Sequence, residues 1–155
     1  MRIISAGLEH LDHLLPMFIR YRELYGAMPQ LEASKDFLLE RLNNKEAIIL
    51  LAYENDTALG FCLVYPSFSS VSLRPIWIIN DLYVAEEARR KQVANQLLKV
   101  VAEQARSNNV VRLRVSILAS NDIAQRLYES AGFLEDKHFR NYILPIQGTQ
   151  LWSQR

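Results

Sequence analysis

Apolar positions along the chain change period several times, and each change marks an element. Leu8, Leu11, Leu15, Phe18 and Ile19 recur at helical spacing, which predicts an amphipathic helix to about Tyr25, closed by Gly26. Pro16 falls within it, lacking an amide to donate and clashing with the preceding turn, so a kink or a helix start is expected there. Arg2–Ser5 reads as a short first strand, and residues 34–42 as a second helix with Phe37, Leu38 and Leu42 inward. From Ala47 the period becomes that of strands. Runs 48–53 and 58–65, separated by Glu54-Asn55-Asp56-Thr57, predict an antiparallel hairpin. Residues 66–75, serine-rich and bounded by prolines, read as a loop.

Residues 76–84 are apolar on both faces as far as Asn80-Asp81, the pattern of a central strand covered from each side. Helical period returns over 89–106, with Val93, Ala94, Leu97, Leu98, Val101, Ala102 and Ala105 on one stripe, and Ser107-Asn108-Asn109 ends it. Over 110–117, Val111, Leu113, Val115 and Ile117 alternate with Arg112, Arg114 and Ser116, a strand with one face partly wet. Ser120 is placed to cap a helix from near Asn121, with Ile123, Ala124, Leu127 and Ala131 inward and Gly132 at its C-terminus. Residues 133–136 and 139–144 are expected to form two last strands. The tail, polar apart from Leu151 and Trp152, is left between a loose end and a docking segment. Two strand–loop–helix units in succession fit an α/β sheet with ligands at the strand ends.

Composition narrows the class. With 155 residues, half of them hydrophobic and 23% charged, a single globular domain over 1–145 is expected, followed by a tail, 146–155. No apolar run approaches the roughly 18 residues a bilayer demands and no signal-peptide pattern opens the chain, so a cytoplasmic protein without a membrane partner is expected. Cys62 is the one cysteine, which excludes an intrachain disulfide; with three histidines it forms no zinc spacing, and no metal is expected. Cys62 reads as a small core residue, and His10 and His13 as surface or packing residues. A net charge of +1 gives no broad basic field, so no nucleic-acid partner is expected.

Three features carry candidate chemistry. Arg89, Arg90 and Lys91 fall on the expected first turn of the third helix, where they oppose the macrodipole. Either they are a solvated cluster offset by Glu86 and Glu87, or they converge with the helix amides on an anion. Asp81 interrupts an apolar strand. It either bonds backbone amides at a bulge or strand end, or serves as a base or amine-orienting group. Tyr128 adjoins its helix stripe, either as a core ring or as a reactive hydroxyl.

Asn80-Asp81-Leu82-Tyr83-Val84, the helix opening after it, and Asn121, Ala124, Leu127-Tyr128 and Gly132-Phe133 at their spacing resemble the GNAT superfamily of acyl-CoA-dependent N-acetyltransferases, over roughly residues 2–145. The resemblance implies an α/β GNAT fold: a mixed, mostly antiparallel central sheet splayed between the fourth and fifth strands, with about four helices. It implies acetyl transfer from acetyl-CoA to an amine of a small molecule or peptide by direct attack on the thioester. By the same resemblance Leu82, Tyr83, Val84, Arg89, Arg90, Lys91, Gln92, Val93, Ala94, Asn121 and Ala124 bind the coenzyme. Tyr128 becomes the general acid for the departing thiolate, and Asp81 the acceptor of the amine's proton. The family's pyrophosphate loop runs Arg/Gln-x-x-Gly-x-Gly/Ala; Arg89 and Ala94 match its ends, while Gln92 stands at the central glycine and Arg90 at another position that is often glycine. The diamine acetyltransferases, which this stretch also resembles, carry acidic residues here, and Asn80 replaces one that is often Glu. Tyr21, Tyr25 and the Phe68 loop are expected to border the acceptor, and a homodimer is an assembly the resemblance allows. The alternative is a non-catalytic acyl-CoA-binding or regulatory module with a degenerate pyrophosphate loop; a third reading is a dimeric interaction protein keeping only the fold.

Overall fold

The computed structural model describes residues 1–147; Leu151, Trp152 and the rest of 148–155, most of the expected tail, lie outside the described residues. In order, the elements are β1 (Arg2–Ser5), a 3-10 turn, α1 (Leu11–Leu24), α2 (Leu31–Asn43), β2 (Ile48–Glu54), β3 (Thr57–Ser69), β4 (Arg74–Val84), a second 3-10 turn, α3 (Val93–Ser107), β5 (Leu113–Val115) and α4 (Asp122–Ser130). The strands form one sheet in sequence order. Its first three pairings are antiparallel and the last, β4 with β5, is parallel. This is the expected mixed, mostly antiparallel α/β architecture.

Neighbouring strand residues point to opposite faces of a sheet. Phe61 of β3 meets Phe18 and Tyr21 of α1, with ring centroids 6.3 and 6.0 Å apart, whereas Gly60 beside it faces Val93 of α3. Helices α1 and α3 therefore cover opposite faces. That explains why residues Ile49 to Tyr53 of β2 and Leu59 to Val64 of β3 are almost all apolar and buried.

The structure corrects several expectations. Helix α1 neither starts at Pro16 nor ends at it; it begins at Leu11 and carries the proline in its interior. His10 and His13 are surface and packing residues as expected: the Gly7 amide donates to His10 Nδ1 (2.9 Å), and exposed His13 packs edge-on against Tyr53, its Nδ1 2.6 Å from the hydroxyl. The expected loop over 66–75 shrinks to Ser70–Leu73. Strand β2 pairs with β3 only as far as Val64, so Pro66 sits where β3 has β4 as its one strand neighbour and a missing amide is tolerated. Strand β5 is shorter than residues 110–117, although the alternation of half-buried Val111, Leu113, Val115 and Ile117 holds.

In α4 the inward face is narrower than expected, because Ile123 and Ala131 are exposed and Tyr128 is the buried position, flanked by half-buried Ala124 and Leu127. Gly132 follows with φ 95°, the left-handed conformation that ends a helix. Residues 133–136 and 139–144 form no strand. Their composition suits one, but strand hydrogen bonds need a neighbouring strand, and among the described residues none lies beside them.

Candidate active site

The site begins with one irregularity in β4. Its pairing with β3 passes from Leu63↔Asp81 to Val64↔Ile79, which leaves Asn80 as an extra residue. Such a bulge bends the strand and re-aims the side chains beside it. Pairing with β5 covers Trp77, Ile78 and Ile79 and stops at the same point. Beyond the bulge β4 continues with β3 while β5 diverges. The sheet thus splays between its fourth and fifth strands, as the family resemblance implied.

The gap is a cleft of about 280 Å³. Leu82, Tyr83 and Val84 of β4 form one wall, and Asn121, Ala124 and Tyr128 the other, with Arg89 and Ala94 at the mouth of α3. These are eight of the residues singled out in the sequence. Arg90, Lys91, Gln92 and Val93 do not line it. Val93 is in the core and Lys91 Nζ lies 3.9 Å from Glu54 Oε2.

The cations are not on the first turn of α3, which begins only at Val93. They sit in the loop before it, after a 3-10 turn anchored by buried Ala88 and by the Ala85 amide donating to the Leu59 carbonyl (2.8 Å). Arg90 has φ 66° and Gln92 φ 64°, so both positions where the family favours glycine hold the backbone that glycine would adopt. For residues with a Cβ this costs roughly 1–2 kcal/mol each. The loop holds the left-handed conformation at both positions without a glycine at either. Gln92 is the N-cap residue of α3; its side-chain oxygen accepts from the Asn95 side-chain amide and caps no backbone amide. Helix amides, the macrodipole and the exposed Arg89 and Arg90 give this corner a positive electrostatic character.

Gly60 went unremarked in the sequence. A Cβ there would lie 2.5 Å from the Tyr83 carbonyl oxygen and 3.4 Å from a Val93 methyl. The bare backbone lets β3, β4 and the start of α3 approach one another, which fixes where the cleft's mouth lies.

On the far wall, Asn121 and not Ser120 caps α4: its side-chain oxygen accepts from the Ala124 amide at 3.0 Å. Tyr128, 7% exposed, packs edge-on against Phe133 with centroids 5.2 Å apart, and the Phe133 amide donates to the Tyr128 carbonyl (2.9 Å). The ring is thus both packed and part of the cleft wall.

A second cleft, of about 430 Å³, opens on the α1 and α2 side. Phe18, Tyr21, Tyr25, Phe37 and Tyr65 make it aromatic, and Asp81 makes it acidic. Asp81 is 6% exposed, and the Asn80 side-chain amide donates to its Oδ1 at 3.0 Å. Its charge is felt around it. Burial first, then the Asp81 charge and a hydrogen bond to it, hold the Tyr21 phenol far above its usual range. Burial and the same charge push Tyr65 up to about 12, and raise the Cys62 thiol as well. Phe68 is 80% exposed near the end of β3 and lines neither cleft, whereas Tyr21 and Tyr25 line both.

Arg22, Phe37 and Tyr65 were not anticipated as site residues. Arg22 looks like any solvent-face charge in a helix, yet its guanidinium ties down the α1–α2 link by donating to the carbonyls of Met28 (2.6 Å) and Pro29 (2.8 Å) and to Gln30 Oε1 (3.0 Å). Among the described residues no group of three His, Cys, Asp or Glu could hold a metal, and no helix is long and apolar enough to cross a membrane.

The two clefts meet at Tyr21, Tyr25 and Asn80, so the bulge borders the cleft between the splayed strands and the acidic, aromatic one. A family model described as the acetyltransferase (GNAT) family matches residues 13–133. The chain belongs to the GNAT acetyltransferase family. This GNAT chain is 38% identical, over 94% of its length and 98% of the relative's, to YhfO of Bacillus subtilis, an uncharacterised N-acetyltransferase. It is 25% identical to a thialysine N-epsilon-acetyltransferase of Caenorhabditis elegans, covering 85% of this chain and 82% of that protein. A crystal structure of a probable acetyltransferase superposes with a TM-score of 0.92 at 52% identity, covering 96% of this chain and all of the other.

Proposed function

We propose that the protein transfers an acetyl group from acetyl-CoA to a primary amine of a small molecule or peptide. The observation that carries this reading is the meeting of the two clefts at the Asn80 bulge, and their linings support assigning the first to an anionic thioester and the second, acidic and aromatic, to a cationic amine. The residues present fit the coenzyme. Arg89, Arg90 and the amides at the start of α3 would receive its phosphates, and Leu82–Val84 and Asn121–Ala124 would flank its arm between the splayed strands. When bound, acetyl-CoA supplies an acyl group already activated as a thioester.

What the chain's own residues add is placement and proton handling. The aromatic walls and Asp81 draw in an alkylammonium group, since ring faces and a buried carboxylate both favour a cation. The amine must then attack as the neutral base. Asp81 takes its proton, the nitrogen forms the new bond to the acyl carbon, and the carbon–sulfur bond breaks. Tyr128 gives its hydroxyl proton to the departing sulfur, and the surplus proton that the nitrogen still carries after attack returns to the Tyr128 phenolate through solvent; positioning of the partners supplies much of the acceleration. The relative named for thialysine acylation supports an aliphatic amine as acceptor. The left-handed backbone kept at Arg90 and Gln92 favours a working coenzyme loop over a degenerate one.

Asp81→Asn tests the proton-accepting role. With a primary alkylamine found by screening, kcat/KM should fall by about 10²-fold or more near neutral pH while acetyl-CoA affinity holds. Activity should recover as pH rises toward about 10, where the amine arrives already neutral. A rise in amine KM alone, with no recovery at high pH, would reduce Asp81 to an anchor for the cation.

A further inference from the structure

Asp81 sits beside the Asn80 bulge, where the strand bends and side chains are re-aimed, and its own strand gives it the Asn80 side-chain amide on Oδ1 at 3.0 Å. A buried carboxylate is costly unless its oxygens are hydrogen-bonded. Further support comes from α1. The Tyr21 hydroxyl donates to Asp81, is joined by a hydrogen bond to Tyr25, and lies 3.4 Å from the Asn80 carbonyl oxygen. One hydroxyl proton cannot serve both the carbonyl and the carboxylate, and the ionised group is the stronger acceptor. The ring itself is fixed. It stands edge-on to fully buried Phe61 with centroids 6.0 Å apart, and Tyr25, one helical turn on, packs against it at 5.1 Å.

We propose that Tyr21 is a positioning residue of the acceptor site, its hydroxyl tying Asp81 to α1 so that the carboxylate stays ionised and oriented where the two clefts meet. The inference rests on the acetyl-transfer reading and deepens it, giving the proton acceptor a partner outside its own strand. Tyr21 acts through Asp81 and exchanges no proton itself. Burial and the Asp81 charge hold its phenol far above the usual range, so it remains a donor across the working pH. The other groups around the carboxylate cannot take over this part. Cys62 and Tyr65 of β3 feel its charge, and burial keeps both of them neutral. Arg22 of α1 lines the same cleft with its guanidinium engaged by the Met28 and Pro29 carbonyls, and α2 presents Ser34 and Phe37, neither of them ionisable at working pH.

The test titrates the Asp81 carboxyl carbon by NMR in the free full-length chain, with Asp81→Asn assigning the signal, and follows amine-dependent kcat/KM across pH. Tyr21→Phe keeps the ring and its packing and deletes the donor. It should raise the Asp81 midpoint by about one pH unit and carry the acid limb of kcat/KM up by the same amount, because losing a donor to the carboxylate favours its neutral form. On the acid side that is about a tenfold loss of kcat/KM, with circular dichroism showing the fold intact. In an Asp81→Asn background the same substitution should cost less than about twofold, since the group it acts through is gone. A loss there as large as in the wild type would make Tyr21 a packing or amine-binding residue and overturn the proposal. An unmoved midpoint, or an acid limb that stays in place, would do the same. The two readings fail separately. A wild type that releases no thiol for any amine removes the acetyl-transfer reading and this inference with it, whereas turnover with an unmoved acid limb removes the role of Tyr21 alone.

Discussion

At the scale of single residues, the backbone around Arg90 and Gln92 is where sequence and structure part most usefully. A missing glycine suggests a damaged loop, but φ is not written in a sequence, and the structure holds both residues in the left-handed conformation. Gln92 also lies outside α3 as its N-cap residue, so glycine there would carry no cost of a helix interior. Gln92→Gly should therefore stabilise the fold by roughly 1 kcal/mol, raising Tm by about 2–4 °C, without weakening acetyl-CoA binding. A lower Tm in a thermal melt would mean that the hydrogen bond to Asn95 outweighs the relieved strain. The α4 cap was misplaced by one position for a related reason. Serine and asparagine are both good N-caps, and adjacency in the sequence cannot decide between them. Asp81 was legible as an anomaly, a carboxylate in an apolar strand; Phe37, Tyr65 and Arg22 were not, because each looks ordinary within its own element.

At the scale of elements, periodicity located the four helices and the five paired strands of the described residues, since burial on one or both faces imposes the pattern. It failed where pairing rather than composition decides. Strands β3 and β4 extend past Pro66 and Pro75 because the prolines fall where a missing amide is tolerated, while 133–136 and 139–144 have strand composition and, among the described residues, no neighbouring strand. Gly60 belongs to this scale too, as the point where β3, β4 and the first residue of α3 converge. Gly60→Ala would push a methyl against the Tyr83 carbonyl, a backbone atom that cannot swing aside. The expected loss is about 1–3 kcal/mol, read as a lower denaturation midpoint, together with weaker acetyl-CoA binding as the mouth of α3 shifts. An unchanged midpoint would show that the sheet can absorb the methyl and that the close approach does not position the cleft.

At the scale of the molecule, a bulge in β4 and the parting of β4 from β5 place one cleft beside an acidic, aromatic one, and the proposed function assigns the first to the thioester and the second to the amine. Sequence reasoning reached the splay through family resemblance; the bulge that produces it shows only in the strand register. The central claim is that this arrangement turns over, with Tyr128 acting at the thiolate end. The most direct measurement is amine-dependent thiol release from acetyl-CoA across a panel of primary amines, wild type beside Tyr128→Phe. The account predicts release that requires the amine, falling in Tyr128→Phe by about 10²- to 10⁴-fold with acetyl-CoA still bound. Acetyl-CoA binding by the wild type with no thiol released for any amine would contradict it and leave an acyl-CoA-binding module in place of an enzyme.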